Sequence, residues 1–186
     1  MAVLAVEERI AVREPEPADA LEFLQLVRAS TRLHRPWVYP PRTVEAFDAY
    51  LARNARPDFQ ACLVARRSDG ALVGMANLSQ LVGEPLKSAY LGFNAFAPHR
   101  GQGYMTEGVD AVLGVAFRSL GLHRVEANVQ PDNAPSRALL TRLEFRCEGF
   151  SPRYLKVGGR WRDHERWAIL AEEWVARRRR LAHPGR

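Results

Sequence analysis

Apolar residues recur along this chain in two rhythms, alternation and three-to-four spacing, and the switches between them lay out its elements. RIAVREP (9–15) alternates and predicts a first strand. Between Asp19 and Ser30, Leu21, Phe23, Leu24 and Val27 fall at helical spacing. A Pro-rich break at His34–Pro41 (HRPWVYPP) separates this helix from a second, Thr43–Asn54, with Val44, Phe47 and Leu51 on one face. FQACLVARR (59–67), a turn at Ser68–Gly70 and ALVGMANLSQL (71–81) predict a hairpin, and SAYLGFNAF (88–96) a further strand.

The pattern then changes. Gly103–Leu120 carries Val109, Val112, Leu113, Ala116, Phe117 and Leu120 on one stripe, Gly121 ends it, and RVEANVQ (124–130) reads as a strand. Strand, helix, strand at this spacing is a βαβ unit, so its two strands should be parallel neighbours. A helix over 133–143 follows, with Asn133 placed to cap it and Pro135 suited to its first turn. The last elements are FRCEGFSPRYLKV and RWRDHERWAIL, joined by a Gly158–Gly159 turn. The fold class is therefore α/β in the mixed α+β sense: one mostly antiparallel sheet with a single parallel crossover and flanking helices. The pattern predicts one domain over 1–174 and a basic tail over 175–186, disordered or a frayed helix.

Composition narrows the classes. A chain of 186 residues, 47% hydrophobic and 26% charged, suits one globular domain. No apolar run reaches the ~18–20 residues that span a bilayer. The start turns acidic at Glu7 and Glu8 before an apolar run forms, which argues against a secretory signal and for a cytoplasmic protein. The net charge is +6, but residues 177–186 carry five arginines and no acid, leaving the remainder nearly neutral. A nucleic-acid contact is expected only through the Arg177–Arg180 tail. All but Lys87 and Lys156 of the 27 basic residues are arginine, a bias that identifies no ligand. Cys62 and Cys147 sit in apolar surroundings and read as small buried residues of a reducing compartment. The five histidines have no zinc-ligand spacing, and no metal site is expected.

The most informative stretch is His99-Arg100-Gly101-Gln102-Gly103-Tyr104-Met105-Thr106-Glu107, between a strand end and a helix start. Glycines there allow a left-handed backbone and close ligand approach. The amides of the first helical turn, with the helix dipole, make an anion site suited to a diphosphate, and Arg100 adds a fixed cation. No GxxxxGK[ST] loop is present, nor the three-glycine spacing of the dinucleotide fingerprint. The companion segment runs from Asn128 to Arg137 at the end of the next strand.

Together these segments resemble the GNAT superfamily of acetyl-CoA-dependent N-acyltransferases. The family's Q/R-x-x-G-x-G/A loop is matched as Arg100-x-x-Gly103-x-Met105, and its N-x-x-S helix opening as Asn133-x-x-Ser136. LGFNAFAPHRGQGYMTEG, EGFSPRYLKVGGRWRDHERWAIL and HRPWVYPP are similar to the ribosomal-protein alanine N-acetyltransferase branch, so the resemblance covers about residues 8–172. It implies an enzyme moving an acetyl group from acetyl-CoA to a primary amine, most naturally a protein N-terminus. A small-molecule amine acceptor or a non-catalytic CoA-binding module are the alternatives, and a monomer or homodimer stays open.

The resemblance also implies site roles. Ala95, Phe96 and Ala97 would border the pantetheine arm, with Ala95 and Ala97 offering backbone hydrogen bonds. Arg100, Gly101, Gln102, Gly103, Tyr104 and Met105 would hold the diphosphate. Asn133 would bind the arm or cap its helix, and Ser136 would lie near the sulfur. Ser136 and Glu148 are the catalytic candidates, beside Glu107 and Asp163 as alternative carboxylates, and Trp37 and Tyr39 would wall the acceptor groove. Three positions depart from the family. Met105 replaces a small residue and should press on the phosphates, Glu144 replaces a helix-ending glycine, and Leu140 stands where many relatives place a tyrosine acid.

Overall fold

The computed structural model describes residues 2–183. Nine strands form one sheet: β1 (Val3–Val6), β2 (Ile10–Arg13), β3 (Phe59–Gln60), β4 (Leu63–Arg66), β5 (Leu72–Val82), β6 (Ser88–Ala95), β7 (Arg124–Val129), β8 (Arg146–Val157) and β9 (Arg160–Leu170). The spatial order is β1-β2-β4-β5-β6-β7-β9-β8, with β3 paired to β5. Every pairing is antiparallel except β6 with β7. The expected crossover is therefore present. Its helix, α4 (Tyr104–Gly114), widens into a π-helical turn over Val115–Ser119 before β7.

Helices cover both faces. On one side α1 (Ala20–Ala29), the short α2 (Thr31–His34) and α3 (Val44–Asn54) lie over β3, β4 and β5. Phe23 meets Phe47 at 4.9 Å and Phe96 edge-on at 5.7 Å, and Leu63, Ala65 and Met75 complete this core. Val64 and Val73 on the alternate positions of these strands, with Cys62 in the link between β3 and β4, face a second core built on α4, α5 (Ala134–Arg142) and α6 (Ala171–Ala182). This is the strand alternation the sequence carries, read out on two hydrophobic layers. The helical stripes needed trimming. Leu21 and Val44 are exposed, because tertiary contacts use only part of each stripe, whereas Phe23, Leu24, Val27, Phe47 and Tyr50 are buried.

Several expectations are corrected. Of the two readings of the basic tail, disordered or a frayed helix, the structure has a helix through Ala182, docked rather than frayed, and residues 184–186 lie outside the described residues. Trp174 is buried and donates from Nε1 to the carboxylate of Asp110 on α4 at 2.9 Å. Arg177 and Arg178 donate to the same carboxylate at 2.6 and 2.7 Å, and Arg178 also pairs with Glu7. Arg180 pairs with Glu144, so three of the four arginines offered to a polyanion are already engaged. Cys147, expected inside, is exposed because β8 is the edge strand, while burial pushes the Cys62 thiol up to about 12. Glu144 keeps the helix end intact by adopting φ +63°, with Phe145 donating back to the Leu140 carbonyl. No helix among the described residues is long and apolar enough to cross a membrane.

Candidate active site

The turn between β6 and α4 is built by two left-handed glycines, Gly101 at φ +76° and Gly103 at +82°, the second serving as the N-cap of α4. Side chains other than glycine adopt this conformation only at a cost. Thr106 and Glu107 amides return to the Gly103 carbonyl, whereas the amides of Gly101 through Met105 have no partner among the described residues. They border a cavity of about 800 Å³ that Arg9, Arg100, Arg142 and Arg177 also line. Arg9 is paired with Glu107 and Arg177 with Asp110, so Arg100 and Arg142 carry no ion pair among the described residues. Unbonded amides at a helix start beside guanidinium groups that have no carboxylate partner among the described residues are matched to an anion of high charge.

Met105 borders this cavity, but most of its bulk is taken up elsewhere. Its buried side chain lies against β5 at Gly74, where any Cβ would collide with its sulfur and with the Asn94 carbonyl. The bulk that the sequence placed in the turn is thus absorbed by a glycine some thirty positions earlier, a compensation with no local signature.

Beyond the turn, the parallel strands part. β6 and β7 pair at Ser88–Arg124, Ala89–Val125 and Tyr90–Glu126, then separate, although β6 runs on to Ala95 and β7 to Val129. The wedge holds two further cavities of about 310 and 300 Å³, sharing Trp37, Phe93, Asn94, Asn133 and Ser136 as common walls. The first also shares Ala95, Arg100 and Met105 with the turn cavity, so the space runs from the glycine turn through the wedge to its far end. Pairing by β5 and β9 on the outer flanks holds the strands while leaving their inner edges unbonded to each other.

The far end is polar and contains no carboxylate among its lining residues. Asn77, Asn94, Asn128 and His164 share one face of the sheet by register. Asn77 Oδ1 is taken by the Tyr50 hydroxyl and the Cys62 amide, whereas Asn94 Oδ1 and Asn128 Oδ1 are buried without partners. Trp37 and Tyr39 roof this end from the 35–41 loop, and Gln130 Nε2 reaches the Trp37 carbonyl at 3.5 Å. Tyr39 also lies against Gly158 in the β8–β9 turn, leaving no room for a Cβ there. His164 is 3% exposed, and burial lowers its pKa below the ordinary 6.5.

The sequence-expected residues divide clearly. Arg100 to Met105, Asn133, Ser136, Trp37 and Tyr39 all line the cavities. Asn133 caps α5, accepting from the Ser136 amide at 3.3 Å. Ala95 lines the wedge, but its carbonyl accepts from His34 Nε2 at 2.8 Å. Phe96 is corrected: its side chain is wholly buried and its amide is bonded to Val73. The Ala97 amide is likewise spent on the Ser30 hydroxyl at 2.8 Å, because α1 and α2 clamp the end of β6. Glu148 is also corrected. It lines none of the described cavities and is ion-paired with Arg124 and Arg146, which hold its carboxyl down at about 2, far too acidic for a base at neutral pH. Glu107 is bound by the amide and side chain of Arg9, and Asp163 accepts from the Arg153 amide. Leu140 is buried in the core. Ser30, His34, Arg9 and Gly74 escaped sequence reading because their roles depend on partners 20 to 98 positions away.

Among the described residues no group of three His, Cys, Asp or Glu is placed to hold a metal ion. A sheet opened between two parallel strands, entered through an amide-lined glycine turn, defines an acyl-carrier-binding class of fold. The chain belongs to the GNAT acetyltransferase family: the family's acetyltransferase (GNAT) domain matches residues 9–146. The [ribosomal protein uS5]-alanine N-acetyltransferase of Escherichia coli is 36% identical over 104 residues, 56% of this chain and 54% of that protein. The chain thus spans about half the length of the curated relatives it matches first. Mycobacterium smegmatis RimJ, solved in complex with CoA-disulfide, superimposes with a TM-score of 0.84 at 30% identity, covering 94% of this chain and 89% of that one. The fold is shared with Vibrio cholerae spermidine N-acetyltransferase, at TM-score 0.77 and 19% identity over 91% and 99% of the two chains.

Proposed function

We propose that the protein transfers an acetyl group from acetyl-CoA to the α-amine of a protein N-terminus. The observation that carries this reading is the continuous space from the unbonded Gly101–Met105 amides into the wedge between β6 and β7. In this reading the amides and Arg100 hold the diphosphate, and the pantetheine arm runs along the unpaired edges of β6 and β7. That leaves the thioester beside Ser136, with Asn133 fixing the start of α5. The family resemblance to ribosomal-protein acetyltransferases supports the same choice.

The reaction is direct attack of a neutral amine on the thioester carbonyl, with departure of the thiolate. A peptide α-amine, with pKa about 7.7–8.0, is roughly 10% neutral at pH 7. A lysine ε-amine near 10.4 is neutral only about 0.04% of the time, a handicap of ~3 kcal/mol. A thiol with pKa near 8.5 leaves readily. Positioning and modest proton transfer therefore suffice for an α-amine. The far cavity favours it too: its neutral amide lining offers no carboxylate to the extra charges of a polyamine, and its roof of Trp37 and Tyr39 suits a short peptide end.

Calorimetric titration with CoA tests the first half, and no binding at millimolar CoA overturns it. Thiol release across N-terminal peptides, amino acids, aminoglycosides and polyamines tests the second. Preference for peptides is expected. A small amine that outperforms every peptide, or CoA binding without any turnover, refutes the assignment.

A further inference from the structure

We propose that His164 is the general base of this reaction, its Nε2 taking the proton of the acceptor nitrogen as that nitrogen bonds to the acyl carbon. The inference rests on the transferase reading above and deepens it. His164 sits on β9 at the far end of the wedge and lines the same cavity as Ser136, Trp37 and Asn128. Its Nδ1 lies 3.0 Å from the Arg162 carbonyl, which can only accept. Nδ1 therefore carries the hydrogen, and the lone pair of the neutral ring is on Nε2. Nε2 has no hydrogen-bond partner among the described residues, and His164 is one of the residues that line the far cavity. A backbone carbonyl fixing one nitrogen so that the other presents a lone pair is the orienting arrangement a base requires.

The rivals are otherwise engaged. Glu107, Glu148 and Asp163 are bound as described above, and Glu165 accepts from Arg137 and from the indole of Trp167. His34 borders the upper cavity, but its Nε2 is used by Ala95 and its Nδ1 is enclosed in protein. Around His164 the titratable and charged groups are Tyr154 on β8, with ring centres 6.3 Å apart, Arg162 and Asp163 on β9, and Tyr39 in the roof. Gln130 at the end of β7 adds a neutral amide to the same wall. Asp163 and the Arg162 carbonyl favour the charged ring but are outweighed by burial, so the imidazole is neutral and able to accept a proton at pH 7.

The step balances. The amine nitrogen forms a bond to the acyl carbon, the carbon–sulfur bond breaks, and the thiolate leaves with its electron pair. The nitrogen's proton passes to Nε2, the imidazolium releases it to water, and the thiolate takes one from water, giving amide and thiol. Below the lowered pKa the ring is already protonated, so kcat/KM, which falls with protonation of the amine below about 7.7–8.0, should fall more steeply once pH drops through a value under 6.5.

The experiment compares wild type, His164→Gln and His164→Ala on the peptide panel across pH, with calorimetric CoA binding alongside. A loss of about 100-fold in kcat/KM is expected, with CoA affinity within about threefold, loss of the extra steepening below pH 6.5 so that only the limb set by the amine near 7.7–8.0 remains, and partial rescue of His164→Ala by added imidazole. Retention of kcat/KM within about threefold in either variant overturns the proposal. Long-range ¹H–¹⁵N spectra of the wild type provide a readout independent of mutant folding. A neutral ring protonated on Nδ1 at pH 7 supports the assignment, and an imidazolium or an Nε2-protonated ring overturns it. If peptides are refused but another amine is acetylated, the α-amine reading fails and the same variants are compared on that amine. A wild type that acetylates no amine overturns both.

Discussion

Asp110 gathers three of the polar contacts that hold α6 against the domain, which makes it the most informative stability probe. Asp110 is 6% exposed and accepts from the Trp174 indole, Arg177 and Arg178. In Asp110→Ala all three donors lose this acceptor. Hydrogen bonds to charged groups contribute about 1.5–3 kcal/mol each, but three on one carboxylate do not add. Arg178 is also the weakest contributor, since its side chain is 36% exposed and keeps Glu7. The dominant effect is the stranding of Arg177, whose side chain is 9% exposed and which has no other ion pair among the described residues. Breaking such a buried pair from one side costs about 3–5 kcal/mol. Discounting for local relaxation gives about 3 kcal/mol, and at ~2–4 °C per kcal/mol for a domain of this size Tm should fall by roughly 6–12 °C. Thermal unfolding followed by far-UV circular dichroism reads the shift, and trypsin should cut faster at Arg177–Arg180 as α6 loosens. Asp110→Asn, which keeps an acceptor but no charge, should fall between. A Tm drop below about 2 °C, with unchanged proteolysis, would refute this account of how the C-terminal helix is held.

Three further outcomes follow from the site. Gly103→Val places a β-branched residue at φ +82° in the turn, and a backbone penalty of ~1–3 kcal/mol should weaken CoA binding roughly 5- to 150-fold in calorimetry. Gly158→Ala drives a methyl into Tyr39 and lifts the roof of the acceptor cavity. It should lower kcat/KM for peptides about tenfold while leaving the CoA dissociation constant within threefold, a split that stopped-flow and calorimetry together resolve. Glu148, held at about 2 by Arg124 against an ordinary 4.5, stabilises the fold above pH 4.5 and gives up that stabilisation as pH falls toward 2. Glu148→Gln should therefore flatten the acid limb of the stability curve, read by denaturant midpoints, with kcat at neutral pH unchanged.

Much of this protein was legible in its sequence, and for local reasons. The period-3.6 stripe from Val109 to Phe117, bracketed by alternating strands, was enough for the parallel crossover, because a helix between two strands carries the chain back to the end from which the first strand started. Two glycines before a helix were enough for the amide-lined turn, because their left-handed conformation and the unbonded first-turn amides are properties of a few adjacent residues. What tertiary structure alone decided are the relations between distant residues. RRRR reads as a solvated tail until Asp110 supplies a buried countercharge, and Met105 reads as an obstruction until Gly74 makes room for it. Glu148 reads as a base until Arg124 and Arg146 neutralise it, and His164 reads as one more residue of the strand RWRDHERWAIL until β7 and β9 bring it to the end of the wedge. Backbone preference and periodicity act over one or two turns of chain, so sequence carries them directly. The state of an ionisable or bulky side chain is set by whatever the fold packs against it, and that neighbour can lie anywhere along the chain.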